Sequence, residues 1–254
     1  MTIVFIGDVH QRWDLVERGL AALPAPPAAA VLLGDMQCDR PLQHVAAPLL
    51  ARGIPLWWIF GNHDADGGPE MWANLTDPAA SPATAAGALH GRVATIGGLR
   101  VAGLGGTFRP RIWEPPDPPR LRTRAELRTD LSDLGPHWRA EHLDRLALSL
   151  GQLAIWPEDV DALASQRADI LVTHEAPGSH PAGKPVLDEL ARAMGARLIV
   201  HGHHHVTYRA VAPDGLRAQG VAAAAGVGHD GAEWWPGEAP RHLGRMLNGW
   251  SLED

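Results

Sequence analysis

A chain of 254 residues can bury roughly 70–75% of the surface it exposes when unfolded, so its core needs no cross-links. Hydrophobic residues at 45% and charged ones at 20% exclude wholesale disorder, and the single cysteine, Cys38, excludes an intramolecular disulfide framework and any Cys-cluster metal site. A net charge of −7 excludes a global basic field for non-specific nucleic-acid binding, whereas the 14 histidines exceed what a core requires.

The segment Met1-Thr2-Ile3-Val4-Phe5-Ile6-Gly7-Asp8 has no basic start and reads as a first strand, not a secretory leader. No apolar run approaches the ~18 residues of a membrane span, so a soluble, cytoplasmic protein with no membrane partner is expected. In chain order, β-rich apolar runs predict strands over 2–7, 30–34, 55–61, 92–96, 99–104, 170–174, 198–202, 206–211 and 216–221. Helical spacing predicts helices over 13–23, 40–52, 123–131, 138–150, 157–166 and 184–194. Strand followed by helix, repeated, implies parallel sheet with crossover connections. Gly97-Gly98 and the strands after Gly202 add antiparallel pairing. The expected fold is an α/β sandwich. Residues 24–30 and 79–88 read as loops, and 221–228 as a small-residue strand or turn. Residues 115–119, rich in proline, read as a stiff linker in a lid-like insertion over 108–150. One domain, 1–254, accounts for the whole.

Five of the predicted strands end in polar residues: Gly7-Asp8-Val9-His10, Gly34-Asp35, Gly61-Asn62-His63-Asp64, Thr173-His174 and Gly202-His203-His204-His205. Ligands of parallel sheets bind outside the carboxyl ends of the strands, so these segments converge on one edge. The set of two Asp, one Asn and four His mixes hard oxygen with imidazole nitrogen and lacks thiolate. It suits Mn, Fe, Zn, Ni or Co, with manganese favoured, and argues against copper(I) and iron–sulfur clusters. Seven ligands are too many for one tetrahedral ion and fit two ions sharing one carboxylate.

The series D-x-H, G-D, G-N-H-D, H and G-H-x-H resembles that of the calcineurin-like metallophosphoesterase superfamily, and it spans Asp8 to His205. The resemblance implies a four-layer αββα sandwich of two mixed sheets flanked by helices. It implies that Asp8, His10 and His205 hold a first metal, that Asn62, His174 and His203 hold a second, and that Asp35 bridges them. His63 would be the non-ligand acid, protonating the leaving oxygen or stabilising the phosphoryl charge, with Asp64 orienting its ring. Two cations roughly 3.5–4 Å apart would activate a shared water and clamp phosphoryl oxygens for in-line attack.

Gly7-Asp8-Val9-His10 with Trp13-Asp14-Leu15 also resembles the opening of the phosphoprotein-phosphatase branch, and Asp39-Arg40 is similar to its G-D-x-x-D-R, one residue displaced. Phe60 stands where that branch has arginine and Asp64 where it has glutamate, which argues against a Ser/Thr protein phosphatase. Residues 98–108 resemble the matching stretch of lariat-debranching phosphodiesterases. Arg109, Arg111, Arg120, Arg122 and Arg124 then cluster with Trp113, a set read either as phosphate forks beside a stacking ring or as a solvated, charge-paired cap. Arg109, Arg111 and Arg40 are the candidate substrate contacts. The expected activity is hydrolysis of a phosphodiester or phosphoanhydride in a small, nucleotide-like substrate. The alternatives are a phosphomonoesterase of the same fold and a non-catalytic metal-binding module. His201 and His204 match no ligand position and read as structural or supporting residues, and Cys38 as a small buried hydrophobe.

Overall fold

The computed structural model describes residues 2–127, 140–238 and 249–253. Its elements run β1 (Ile3–Ile6), α1 (Trp13–Ala22), β2 (Ala29–Leu32), α2 (Leu42–Val45), α3 (Ala47–Leu50), β3 (Leu56–Trp58), α4 (Pro69–Thr76), β4 (Val93–Ile96), β5 (Leu99–Leu104), α5 (Ala140–Gly151), α6 (Pro157–Ala164), β6 (Ile170–Thr173), α7 (Pro185–Met194), β7 (Leu198–His201), β8 (Tyr208–Val211), β9 (Arg217–Gly220), β10 (Gly226–Gly228), β11 (Glu233–Trp235) and β12 (Ser251–Leu252). They form two mixed sheets, β11-β10-β1-β2-β3 and β12-β8-β9-β7-β6-β5-β4.

Side-chain alternation builds the layers. Ile3, Phe5, Ala29 and Val31 point from the first sheet toward Val101, Ile170, Val172 and Val200 of the second. Their neighbours Val4, Ile6, Ala30 and Leu32 face outward onto Val16, Leu20, Leu42, Leu49 and Leu75 of the helical layer. On the far side, Ala102, Leu104, Leu171 and Ile199 pack against Leu163, Leu187, Leu190 and Met194 of α6 and α7. Strands buried on both faces carry continuous apolar runs, which is why β1 and β2 show no polar alternation. Each fully buried side chain of Phe5's size contributes about 1.5–3 kcal/mol. The result is the four-layer αββα sandwich.

The sequence reading departs from the structure where prolines and glycines cluster. The expected helix over 40–52 splits at Ala46 and restarts as α3 with Pro48 in its first turn, because an interior proline would lose a hydrogen bond and clash with the preceding turn. Helix α4 opens on Gly68-Pro69 and has no counterpart among the expected helices. Of the expected helix over 123–131, a single 3-10 turn, Arg124–Glu126, is present, and 128–131 lie outside the described residues, as do 138–139 of the next.

The described part of the 108–150 insertion is packed down. Ile112, Leu150, Ala154 and Trp156 form a small core of their own. The Arg124 guanidinium holds both oxygens of Asp159 at 2.7 Å and Glu158 at 2.9 Å, and donates to the Gly151 carbonyl at 3.0 Å. Arg122 reaches Asp161, and Lys184, the chain's one lysine, pairs with Glu114. These arginines therefore follow the charge-paired reading, with partners on α6. Trp113 stacks edge-on against Phe108 and donates to the Asp117 carbonyl. No helix of the described residues is long and apolar enough to cross a membrane.

His90 fastens the turn that leads into the insertion. Its Nδ1 accepts the Gly105 N–H at 3.0 Å, and its ring lies 4.6 Å from that of Phe60. Burial pushes its pKa from 6.5 down to about 4, against the pull of Asp159. The neutral ring's contribution to stability is thus complete above the unfolded value and is lost as pH falls through that window. His90→Gln is expected to flatten the decline of Tm between pH 6.5 and 4, measured by thermal melts, and an unchanged slope would remove His90 from the account.

Candidate metal centre

Parallel registers bring the strand ends to one edge. Ile3 to Ile6 pair with Ala29 to Leu32, and Ala30 to Leu32 with Leu56 to Trp58, so β1, β2 and β3 deliver Asp8, Asp35 and Asn62 together. Ile170 to Thr173 pair in parallel with Leu198 to His201, so β6 and β7 deliver His174 and His203 from the second sheet. The turns that follow are tight. His10, Asp35, His203 and His205 have φ of 44, 52, 68 and 55°, left-handed backbone in non-glycine residues. Each such residue costs of order 1–3 kcal/mol and persists where its surroundings over-determine it. Here they do: the His10 N–H donates to the Asp35 carbonyl at 2.8 Å, and the His203 N–H to Asp8 Oδ2 at 2.7 Å. Two glycines make the approach possible. A Cβ on Gly61 would lie 2.2 Å from Asp35 Oδ1, and one on Gly202 would lie 2.5 Å from Asp8 Oδ1.

Two ligand groups result, meeting at Asp35. In one, His10 Nε2 and His205 Nε2 are 3.1 Å apart, His205 Nε2 is 3.5 Å from Asp8 Oδ2, and His10 Nε2 is 3.9 Å from Asp35 Oδ2. In the other, His174 Nε2 lies 3.1 Å from Asn62 Oδ1 and 3.3 Å from Asp35 Oδ2. Atoms of Asp35, His174 and His203 all fall within 4.8 Å of one another. The imidazoles are oriented from behind. His174 Nδ1 donates to the Leu33 carbonyl at 2.8 Å and His10 Nδ1 to Gln37 Oε1 at 3.0 Å, which leaves both Nε2 lone pairs facing inward. Gln37 carries no signal in the sequence beyond its place after Asp35.

The electrostatics call for positive charge. Asp8 is fully buried, and its Oδ1 has no hydrogen-bond partner. Burial pushes its carboxyl up to about 8, with His174 opposing and Asp35 reinforcing the shift. Burial also works against the Asp35 carboxylate, but the charge and hydrogen bond of His174 outweigh it and hold the group below the ordinary range. His174 itself is disfavoured as a cation by burial, yet Asp35 and Asp8 raise it to about 10. A fully buried carboxylate with an unpartnered oxygen, raised by burial beside a second carboxylate, fits divalent cations, whose binding would displace protons from the cluster.

The expected pairing of His63 with Asp64 is corrected. His63 Nδ1 meets Asp66 Oδ2 at 2.6 Å, three residues along. Asp64 instead turns inward, fully buried, and accepts the N–H groups of Asp35 (2.9 Å), Gln37 (2.8 Å) and Gly61 (2.8 Å). The i, i+3 spacing of His63 and Asp66 is the signal that could have identified this pair. Glu175, next to His174, was also missed. It is buried with His203 Nε2 at 4.0 Å and His204 Nε2 at 3.8 Å. Burial opposes its charge, but His204 and His203 hold its pKa down at about 2. The His204 ring stacks on His180 at 3.8 Å, and His201 Nε2 bonds the Tyr208 hydroxyl at 2.8 Å, both outside the two ligand groups.

The three candidate substrate arginines separate. Arg109 is partly buried, its Nε has no hydrogen-bond partner, and burial lowers its pKa against the fields of Glu175, Asp35 and Asp66. It thus stands in the field of Glu175, Asp35 and Asp66 without an ion pair among the described residues. Arg111 is exposed on the turn beyond it, and Arg40 is exposed with its Nε 3.8 Å from Asp39.

A family model described as calcineurin-like phosphoesterase matches residues 1–207. The chain belongs to the calcineurin-like phosphoesterase family. An uncharacterised protein of Haemophilus influenzae is 35% identical to it over 213 residues, which is 83% of this chain and 87% of that one. A protein structure from Thermus thermophilus superposes with TM-score 0.55 at 16% identity, covering 89% of this chain and 93% of the other. A dimetal phosphatase from Danio rerio superposes at 0.52 with 12% identity, covering 94% and 93%. At such identities the two structures attest the fold alone. Family membership makes this calcineurin-like chain a metal-dependent phosphoester hydrolase of a family that uses a binuclear metal centre.

Asp64→Ala would leave three N–H groups, two of them in buried residues, without an acceptor, and is expected to lower the unfolding free energy by about 3 kcal/mol in urea titrations. Asp66→Asn, in an exposed pair, is expected to cost less than about 1 kcal/mol. Equal stability of the two variants would contradict the tie described for Asp64.

Proposed function

We propose that the protein hydrolyses a phosphodiester or phosphoanhydride bond in a small, nucleotide-like substrate, with two divalent ions held by Asp8, His10, His205 and Asp35 on one side and by Asn62, His174, His203 and Asp35 on the other. The mixed oxygen and imidazole donors suit Mn, with Fe, Zn, Ni and Co also compatible. When bound, such a pair of cations polarises the phosphoryl group and generates the nucleophile from water. The chain's own residues do the rest. Asp66 holds the His63 ring with Nδ1 protonated, leaving Nε2 to exchange a proton with the leaving oxygen. Asp64 fixes the loops that carry Asp35 and Asn62 relative to one another.

The observation that carries the substrate class is the partly buried Arg109 guanidinium, with its Nε unpaired and within the field of Glu175, Asp35 and Asp66. Burial of an unsatisfied donor is costly unless an acceptor arrives with the substrate. One guanidinium beside a centre that includes the neutral ligand Asn62 matches the single charge of a phosphodiester better than the charge of about −1.5 to −2 on a monoester.

Manganese-loaded protein is expected to turn over a bis-nitrophenyl diester faster than a nitrophenyl monoester; the opposite order would favour the phosphomonoesterase. No turnover of either, or of a nucleotide panel, with any of these metals would favour a metal-binding module without catalysis. Arg109→Ala should lower kcat/KM for the diester by about 10²-fold, while Arg111→Ala and Arg40→Ala leave it nearly unchanged. Loss of activity in all three variants would point to a general field and not a specific contact. Asp35→Asn is expected to abolish binding of the metal pair, measured by metal analysis after gel filtration. Full metal content and activity in that variant would overturn the assignment.

A further inference from the structure

At the opposite end of strands β7 and β9 from the metal centre lies a polar cavity of about 150 Å³, lined by Arg197, Arg209, Arg217, Gln219, His229 and Glu253 among others. Its position in the fold is unusual. Arg209 and Gln219 are register partners on β8 and β9, and Arg217 lies two residues before Gln219, so all three share one face of the sheet. Gln219 is also the register partner of Val200, which packs between the sheets. The polar side chains thus occupy the inter-sheet face, where the fold elsewhere places valine, isoleucine and phenylalanine. The turn from Gly228 to Gly231 closes the cavity from the first sheet, and a Cβ on Gly231 would lie 2.6 Å from Arg209 Nε.

Two observations point to a ligand. Gln219 is 2% exposed, and its Oε1 has no hydrogen-bond partner although its amide nitrogen donates to the Gly220 carbonyl. His229 Nδ1 is likewise buried without a partner. Among the described residues, Arg197, Arg209 and Arg217 stand around them together with Glu253 and Asp230. Glu253 bridges Arg209 and Arg217 at 3.5 and 3.4 Å, longer than a tight charge-assisted hydrogen bond, and Asp230 accepts the Ala232 N–H of its own turn. Arg197 makes no ion pair among the described residues. Arg197, without an ion pair among the described residues, and Arg217, which only shares Glu253, therefore offer positive charge to an anion beside an acceptor, Gln219 Oε1, that lacks a donor. Hydrogen phosphate supplies both: charged oxygens for the guanidinium forks and one O–H for the amide oxygen. Sulfate, fully ionised at neutral pH, supplies only the first.

We propose that this cavity is a binding site for a small phosphate anion, free or as a protonated phosphomonoester, separate from the metal centre. The probe is inorganic phosphate, titrated calorimetrically into the manganese-loaded protein and into Asp35→Asn, in which binding at the metal centre is removed. Phosphate is expected to bind Asp35→Asn. Arg197→Gln combined with Arg217→Gln in that background should weaken it by about tenfold or more, and sulfate should bind wild-type cavity residues about tenfold more weakly than phosphate. If Asp35→Asn does not fold, chelator-treated wild type takes its place, and Arg197→Gln, at an exposed position, serves as the single variant. Absence of phosphate binding once the metal centre is disabled, affinity unchanged by the arginine substitutions, or equal affinity for sulfate would each overturn the proposal. A phosphomonoester such as glycerol phosphate, titrated in parallel, separates the free from the esterified ligand. None of these readouts depends on catalytic turnover, so failure here and failure of the hydrolase reading are distinguishable.

Discussion

Three backbone N–H groups, from Asp35, Gln37 and Gly61, converge on the two oxygens of Asp64 at 2.8 to 2.9 Å. Asp35 and Gln37 belong to the loop after β2, and Gly61 to the loop after β3, so one carboxylate ties two strand ends into a common geometry. Burial pushes that carboxyl up to about 6, with Asp35 adding to the shift, and the N–H groups of Gly61 and Gln37 counter it. The rest of the centre depends on this tie. It places the Asp35 side chain where its Oδ2 is 3.9 Å from His10 and 3.3 Å from His174, the nearest point common to both ligand groups. It also leaves Asp35 Oδ1 to accept the His63 N–H at 2.7 Å, which fixes the candidate acid relative to the shared carboxylate.

Much of this was legible in the sequence because it is carried by spacing. Apolar runs ending in Gly-Asp, Gly-Asn-His-Asp or Gly-His-x-His mark strand ends, and parallel topology turns five such ends into one site. What escaped was set by side-chain direction within turns. Asp64 and Asp66 are both carboxylates near His63, and the sequence ranks the nearer first. The backbone turns Asp64 under the loop and, through the turn closed by the Asp66 N–H on the His63 carbonyl, brings Asp66 to the ring. Glu175 and Gln37 escaped for a related reason, since each adjoins or closely follows a ligand and neither residue type is diagnostic alone. The split of the helix expected over 40–52 and the unexpected helix Pro69–Thr76 lie where proline or glycine resets the backbone.

The arginine cluster shows how composition can overstate function. Five arginines within sixteen residues invite a phosphate-binding reading, yet Arg122 and Arg124 are engaged by carboxylates on α6. Arg109 differs from them in local topology: it sits at the turn just after the loop from β5, before the chain turns away toward the insertion's own small core. Partial burial strips it of water without giving its Nε a partner, a state that separates an available guanidinium from a structural one.

The hydrogen bond from His174 to the Leu33 carbonyl crosses between the two sheets, since His174 follows β6 and Leu33 follows β2. One ligand group therefore takes a member from each half of the sandwich, and the gap between the halves is set by Phe5, Val31, Val172 and Val200. Interior volume acts as a ruler for the metal centre. A methylene added or removed in that layer changes the spacing of donors it never touches, so packing between the sheets constrains reactivity as directly as the ligands do.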